Sequence, residues 1–419
     1  MKSYKKILTI LSFAMFLQAC NTASGVATLE VEANPIEADK AFDISGRERL
    51  NIYFEREITL SVYEPKAGVY LGAYILSNRY INFNIANFEA AAGREHSIYM
   101  YHKQIGDSFP QEFILSCIAN LKAPYIVLSP EDPSNPFRTD KIAELAKNFG
   151  SFFVPTFIEL YPSMRTNGYN PQEFIEFYRY VREVFRRHAT NVAFVFSICE
   201  SEIPDFLEYY PGDDYVDWIA LNVTRKIDDD GNPSFLEDDV FNKINFVYHT
   251  FQERKPMILN LAISHFSTFN HVYHSMTAGR EIERIYTTIA QSYPRIRAIN
   301  YLDYNSANPV NRPLGRDNFS ITGNQTVLSY YQNVIDSEKF LSELDFSTGG
   351  EKILIPIKSA FSGYRILGEY YISENILRLE LNFDKVFDEF IEINGKKYIN
   401  ISLLGCNYEV IYDKIIFKS

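Results

Sequence analysis

Four cysteines in 419 residues are too few for a disulfide scaffold. Nineteen glycines and 18 prolines, without a period, exclude a collagen and a Pro- and Gly-rich disordered chain. Positive charge is scarce: 41 Lys and Arg stand against 53 Asp and Glu, a net charge of −12, and no basic block interrupts that balance. Nucleic acid is therefore not an expected partner, since phosphate binding draws on clustered Lys and Arg. No GxGxxG follows a strand, no GxSxG occurs, and His265, His271 and His274 lack the spacing of a helical metal site. They read as surface loop histidines, and neither metal nor cofactor is expected. What is abundant is apolar material, 46% of the chain, including 33 Phe and 30 Tyr beside a single Trp. That suffices for one large core and a smaller one.

Long hydrophobic runs are absent except at the start. Lys2, Lys5 and Lys6 precede an apolar run over residues 7–17, too short to span a bilayer, and Ala19-Cys20 follows. This order resembles the lipobox of bacterial lipoproteins. The resemblance implies cleavage after residue 19, a diacylglycerol thioether on Cys20 and a mature net charge of −15. The expectation is an exported protein held at the outer face of a cytoplasmic membrane by its acyl chains, with a Gram-positive type of cell surface. Cys117, Cys199 and Cys406 lie in apolar neighbourhoods and read as small buried hydrophobes rather than metal ligands.

Residues 20–67 read as a spacer followed by two short strands, 50–54 and 58–63. From residue 68 the texture changes. Eight apolar runs recur at 69–75, 97–102, 125–128, 152–158, 192–198, 216–222, 257–263 and 297–303. Stretches of helical period separate them at 109–121, 140–149, 171–188, 236–251 and 276–292. Continuous apolar strands suit a parallel sheet covered on both faces. Eight in series predict an α/β chain with a (β/α)8 TIM barrel over residues 68–342. A linker at 347–350 leads to a small β-rich domain over 350–419, with pieces at 353–357, 364–372, 376–382, 391–393, 397–401 and 415–417 and a hairpin turn at Asn394-Gly395.

Function in such a barrel is expected at the C-terminal strand ends. Read strand by strand, these offer Glu89, Glu159, Glu200, Asn222, Asn260, His265 and Asp303, with Tyr101, Tyr161 and Tyr301 as aromatic neighbours. Carboxylates beside flat aromatic faces are what glycoside chemistry uses: one acid protonates the leaving oxygen, a second carboxylate attacks or activates water.

Residues 209–218, Tyr-Tyr-Pro-Gly-Asp-Asp-Tyr-Val-Asp-Trp, resemble the YYPGDxYVDW segment of family 26 glycoside hydrolases, mostly retaining endo-β-mannanases with (β/α)8 barrels. Asn170-Pro171 with the helix after it, Phe88-Glu89, and Arg316-Asp317-Asn318-Phe319-Ser320 are similar to the family too. The resemblance implies an acid/base Glu after a His on the fourth barrel strand; here Ile158 precedes Glu159. It implies a nucleophilic Glu on the seventh, after Lys-Pro. Here Lys255-Pro256 leads to Asn260 or Leu261, neither of which can attack an anomeric carbon.

Three readings follow. A degenerate cleft binds a β-linked or cell-envelope polysaccharide without retaining hydrolysis; an active hydrolase uses Glu159 with Asp303 or Glu200; or the barrel is a structural envelope protein. Residues 394–405 resemble a repeat of the copper amine oxidase N-terminal-like domain, which implies a stalk or adhesion module and no copper. The lipobox generates a direct prediction. Labelled fatty acid is incorporated into the protein in a bacterial host, and Cys20→Ser abolishes the label and moves the protein from the membrane to the soluble fraction.

Overall fold

The computed structural model describes residues 46–418 apart from 229–230, 237, 267–270, 307–316 and 382–386. The expected signal segment and Cys20 lie outside the described residues. Eight parallel strands form the barrel: β2 (Val69–Tyr74), β3 (Ile98–Gln104), β4 (Ala123–Ser129), β5 (Thr156–Leu160), β6 (Val192–Cys199), β7 (Trp218–Arg225), β8 (Met257–Ile263) and β9 (Ile296–Leu302). Each pairs with the next, and β9 returns to β2 with Gly72 opposite Asn300. The eight apolar runs of the sequence are these strands. The fourth begins later than expected, because Phe153 turns at φ 52° and is 86% exposed before the chain enters β5.

Seven helices alternate with the strands among the described residues: α1 (Ile85–Ala92), α2 (Gln111–Ala119), α3 (Ile142–Gly150), α4 (Pro171–His188), α5 (Val240–Phe251), α6 (Ser275–Ser292) and α7 (Gln325–Ile335). The helix α4 shows how sequence writes such an element. Asn170 caps it by accepting the backbone N–H groups of Gln172 and Glu173, and Pro171 opens the first turn, where its missing N–H costs nothing. Phe174, Phe177, Tyr178, Val181, Val184 and Phe185 recur at helical spacing and are buried, while Arg186, Arg187 and His188 close the end where the helix dipole favours cations. α1 and α7 were not expected from the sequence; asparagines, Asn84 and Asn324, cap both.

Alternation along each strand divides the core in two. In β6, Phe194, Phe196 and Ile198 join the layer under the helices, while Ala193 and Val195 fill the barrel with Trp218, Phe157 and Tyr125. Segment 209–218 braces this wall. Asp217 accepts Arg182 at 2.9 Å and the Phe194 N–H at 2.7 Å, and Arg179 donates to the Pro211 carbonyl at 2.8 Å. Its contacts are structural. Cys117 and Cys199 are buried and Cys406 is half-buried.

The second unit departs from expectation. Residues 50–54 and 58–63 do not pair with each other; the chain runs as one long strand, β1 (Arg47–Thr59). β1 lies antiparallel to β11 (Lys352–Ile366) and parallel to β16 (Lys414–Phe417), inside a seven-stranded sheet. The other members are β12 (Glu369–Ser373), β13 (Ile391–Ile393), β14 (Lys396–Asn400) and β15 (Tyr408–Ile411), while the short β10 (Phe340–Leu341) joins the barrel beside β2. The C-terminal residues thus build their sheet around a strand from the other end of the chain. The stretch 364–372 is a hairpin turning at Leu367-Gly368, and residues expected to continue as a strand form α8 (Glu374–Leu379), capped by Ser373. Asn394-Gly395 makes the expected two-residue turn, with φ of 51° and 73°.

Sheet and barrel meet over α5 and α6. Gln252 exchanges two hydrogen bonds with the Lys358 backbone, at 2.8 and 3.2 Å, and the Tyr53 hydroxyl donates to the Ser292 carbonyl at 3.1 Å. The Lys358 ammonium rests 4.0 Å from the Tyr293 ring centroid, and burial, with Lys414 and Arg49 adding repulsion, pushes it down to about 7. Above that pH folded Lys358 is neutral while the unfolded residue stays protonated to about 10.4, so its share of stability rises with pH across that window. Lys358→Met is expected to raise the unfolding midpoint at pH 7 and to flatten the rise in stability between pH 7 and about 10, measured by thermal unfolding at stepped pH.

Candidate functional site

Three neighbouring strands each carry an asparagine between apolar residues: Leu221-Asn222-Val223, Leu259-Asn260-Leu261 and Ile299-Asn300-Tyr301. Register places Asn222 opposite Asn260 and Asn260 opposite Asn300. Their flanking residues face the helices, so all three amides point into the barrel. Leu261 belongs to the outer layer, which identifies Asn260 as the inward group on the seventh barrel strand.

On the opposite wall, β5 directs Glu159 into the same layer. Its Oε2 accepts the Tyr125 hydroxyl at 2.6 Å and the Asn260 amide at 3.4 Å, and its Oε1 accepts the Asn222 amide at 3.4 Å. Asn260 also donates to Asn222 Oδ1 at 2.7 Å, and Asn300 donates to Asn260 Oδ1 at 2.8 Å. A line of side-chain hydrogen bonds therefore crosses the barrel from Tyr125 to Asn300. Gly72 closes it, since a Cβ there would stand 1.8 Å from Asn300 Oδ1.

Glu159 is 1% exposed and Asn260 2%. Burial raises the Glu159 carboxyl above its ordinary range, and the hydrogen bonds it accepts work against that shift. Every partner named here donates to it, so a proton on the carboxyl competes with bonds already made. A retaining glycosidase holds two carboxyl groups about 5–5.5 Å apart with a sugar between them. Here the facing group is an amide, and it touches the carboxylate directly. The arrangement can orient and rigidify, and the Asn260 amide carries no charge with which to attack.

The other expected site residues are dispersed. Glu200 accepts the Thr224 N–H at 3.1 Å and pairs with Lys243 of α5 at 3.0 Å. Asp303 follows Leu302, which points inward, and so points outward; it accepts Asn78 and the Thr322 hydroxyl, the latter at 2.8 Å, and burial pushes it up to about 6. It ties two loops together instead of facing Glu159. Glu89 lies on α1 at the other end of the barrel, bound to the His96 N–H, the Tyr99 hydroxyl and Lys122 just before β3 and β4 begin.

Nor do the expected aromatic platforms line the mouth. Tyr301 is fully buried against Tyr331, Tyr161 donates to the Pro136 carbonyl and stacks on Phe177, and Tyr101 packs on Phe113. Tyr101 and Tyr301 have the outward parity of their strands, while Tyr161, just past β5, shares the inward parity of Glu159 and is turned to the helix layer by a left-handed backbone, φ 49°. His265, expected on the surface, is buried with Nε2 2.9 Å from the Ser320 carbonyl, while His271 is exposed. Among the described residues no group of three or more His, Cys, Asp or Glu is placed to hold a metal. Sequence reading missed Tyr125, Asn300 and Gly72; the repeated apolar-Asn-apolar pattern was the available signal for Asn300.

No protein-family model matches the chain, and no curated protein matches it. Among solved structures it is similar to a β-mannanase from a symbiotic protist of the termite Reticulitermes speratus, at 11% identity over 68% of this chain and 96% of that one, TM-score 0.44. A family 26 endo-β-1,4-mannanase catalytic domain from Bacillus sp. JAMB-750 is 12% identical over 68% and 94%, TM-score 0.47. A family 39 glycoside hydrolase from Bacteroides cellulosilyticus WH2 is 12% identical over 80% and 79%, TM-score 0.46. Such low values say nothing of what this chain does.

The contact between Asn260 and Glu159 makes a measurable claim. Asn260→Asp sets a second carboxylate against the first, so the pair ionises fully only at a cost. We expect a loss of about 2–4 kcal/mol in denaturant unfolding at pH 7, shrinking toward pH 4–5 as the folded pair takes up a proton.

Proposed function

We propose that this protein is a surface lipoprotein whose barrel is a catalytically silent form of a glycoside-hydrolase scaffold, binding a β-linked or cell-envelope polysaccharide at its loop end. The observation that carries the reading is the Asn260 amide hydrogen-bonded to Glu159, on the strands where the sequence resemblance calls for nucleophile and acid/base. Among the described residues the hydrogen-bond partners of Glu159 are a phenol and two amides, so double displacement lacks an attacking carboxylate there. The rival, an active hydrolase using Asp303 or Glu200, loses support because Asn78 and Thr322 engage the first and Lys243 the second.

Aromatic faces for a sugar are available on the loops beyond the strand ends. Tyr80, in the loop after β2, is 61% exposed and lies against Gly323; Tyr273, after β8, is 61% exposed and packs on Phe266 at 4.7 Å. Acyl chains at Cys20 would hold this face near an extracellular glycan layer.

The tests are enzymatic and physical. Incubation with β-mannans, β-glucans and wall polysaccharides is expected to release no reducing ends, in wild type and in Glu159→Ala alike. At least one of these polysaccharides retains the protein, and Tyr80→Ala with Tyr273→Ala weakens retention by about ten-fold. Sugar release that depends on Glu159 would overturn the silent-cleft reading, and retention on none of the panel would favour a purely structural barrel.

A further inference from the structure

At the floor of the barrel, away from Glu159, lies a charged cluster that glycan binding does not use. Glu64, Arg295 and Arg297 meet where the chain enters β2 and β9. Glu64 and Arg295 are fully buried and Arg297 is 5% exposed. Arg295 Nη1 lies 2.8 Å and Arg297 Nε 3.6 Å from the same Glu64 oxygen, Oε1. The other carboxylate oxygen accepts the Ser61 N–H at 2.9 Å, and Arg297 Nη2 donates to the Lys66 carbonyl at 3.1 Å. Register explains why Arg297 turns to the floor. Met257 pairs with Ile296 and Ile258 with Ala298, so Arg297 is the extra residue of a bulge.

The charges in this cluster do not balance. Two guanidinium groups, which stay protonated in proteins, share one carboxylate. The nearby phenols Tyr70 and Tyr248 add no negative charge, because burial holds both well above their ordinary range. The donors do not balance either: Arg295 Nε and Nη2 find no hydrogen-bond acceptor among the described residues. An unsatisfied buried donor costs ~1–3 kcal/mol and a charged one more, so an arrangement of two cations to one anion calls for a further acceptor that carries charge.

We propose that Arg295, with Arg297 and Glu64, binds one small monovalent inorganic anion of the chloride type, seated against Nε and Nη2 of Arg295. One negative charge brings the cluster to neutrality and supplies the acceptor that both donors lack. A water molecule would meet the donors and leave the charge uncompensated. The occupant also has a structural consequence. Glu64 belongs to the segment between β1 and β2 that plugs the barrel floor, where Tyr63 packs on Phe157 and the Val62 carbonyl accepts Trp218 Nε1 at 2.7 Å. The anion secures that plug, and with it the strand β1 that the second sheet requires.

The test is thermal unfolding of the full-length protein at constant ionic strength while sodium gluconate is replaced by sodium chloride. An upward shift of about 2–4 °C is expected between ~1 and ~200 mM chloride. Arg295→Met removes that dependence, whereas Glu64→Gln, which leaves the guanidinium groups uncompensated, steepens it. Crystals soaked in bromide show an anomalous peak against the Arg295 guanidinium. Should Arg295→Met fail to fold, the wild-type chloride series and the bromide map decide. Coincident unfolding curves in chloride and gluconate, with no bromide at Arg295, would show water alone in the site and overturn the proposal.

Discussion

A carboxylate inside a protein is tolerated only where donors surround it, and in this barrel that requirement organises the central layer. Glu159 draws a phenol from β4 and two amides from β7 and β8, and Asn300 of β9 extends the line to the backbone at Gly72. Five strands are thus fastened through their interior faces as well as through their backbone ladders. The buried carboxylate and its donors hold the wall together.

The same economy appears at both ends of the barrel. At the loop end, Asp303 joins the loop carrying Asn78 to the loop carrying Thr322. At the floor, Glu64 joins the entry to β2 with the entry to β9. In each place a buried carboxylate bridges segments that the chain visits first and last within the barrel. The sheet domain extends that closure, because β1 and the C-terminal strands complete each other on the outside of α5 and α6.

Much of this was legible from residue pattern. Eight apolar runs marked eight strands, and Asn170-Pro171 with an amphipathic repeat marked α4 to the residue. The misreadings have physical causes. Short helices such as α1 carry too few turns for their period to stand out, and the apolar residues of α8 look like a strand until Ser373 caps them. Tyr101, Tyr161 and Tyr301 sit at strand ends, which suggests a place at the mouth; a left-handed backbone at Tyr161 turns it to the helix layer, and parity turns the other two. Within a strand a side chain's face follows its parity, and one residue's shift moves it from barrel to helix layer.

The amino-acid sequence by itself determined the alternation of strands and helices and the presence of an amide, Asn260, on the seventh barrel strand, because each is a local property of residue type and spacing. The pairing of β1 with β11 and β16, and the meeting of Glu159 with Tyr125, Asn222 and Asn260, were decided only by tertiary structure. These partners lie tens to hundreds of residues apart, and what brings them together is closure of the barrel, a geometry that no stretch of sequence contains.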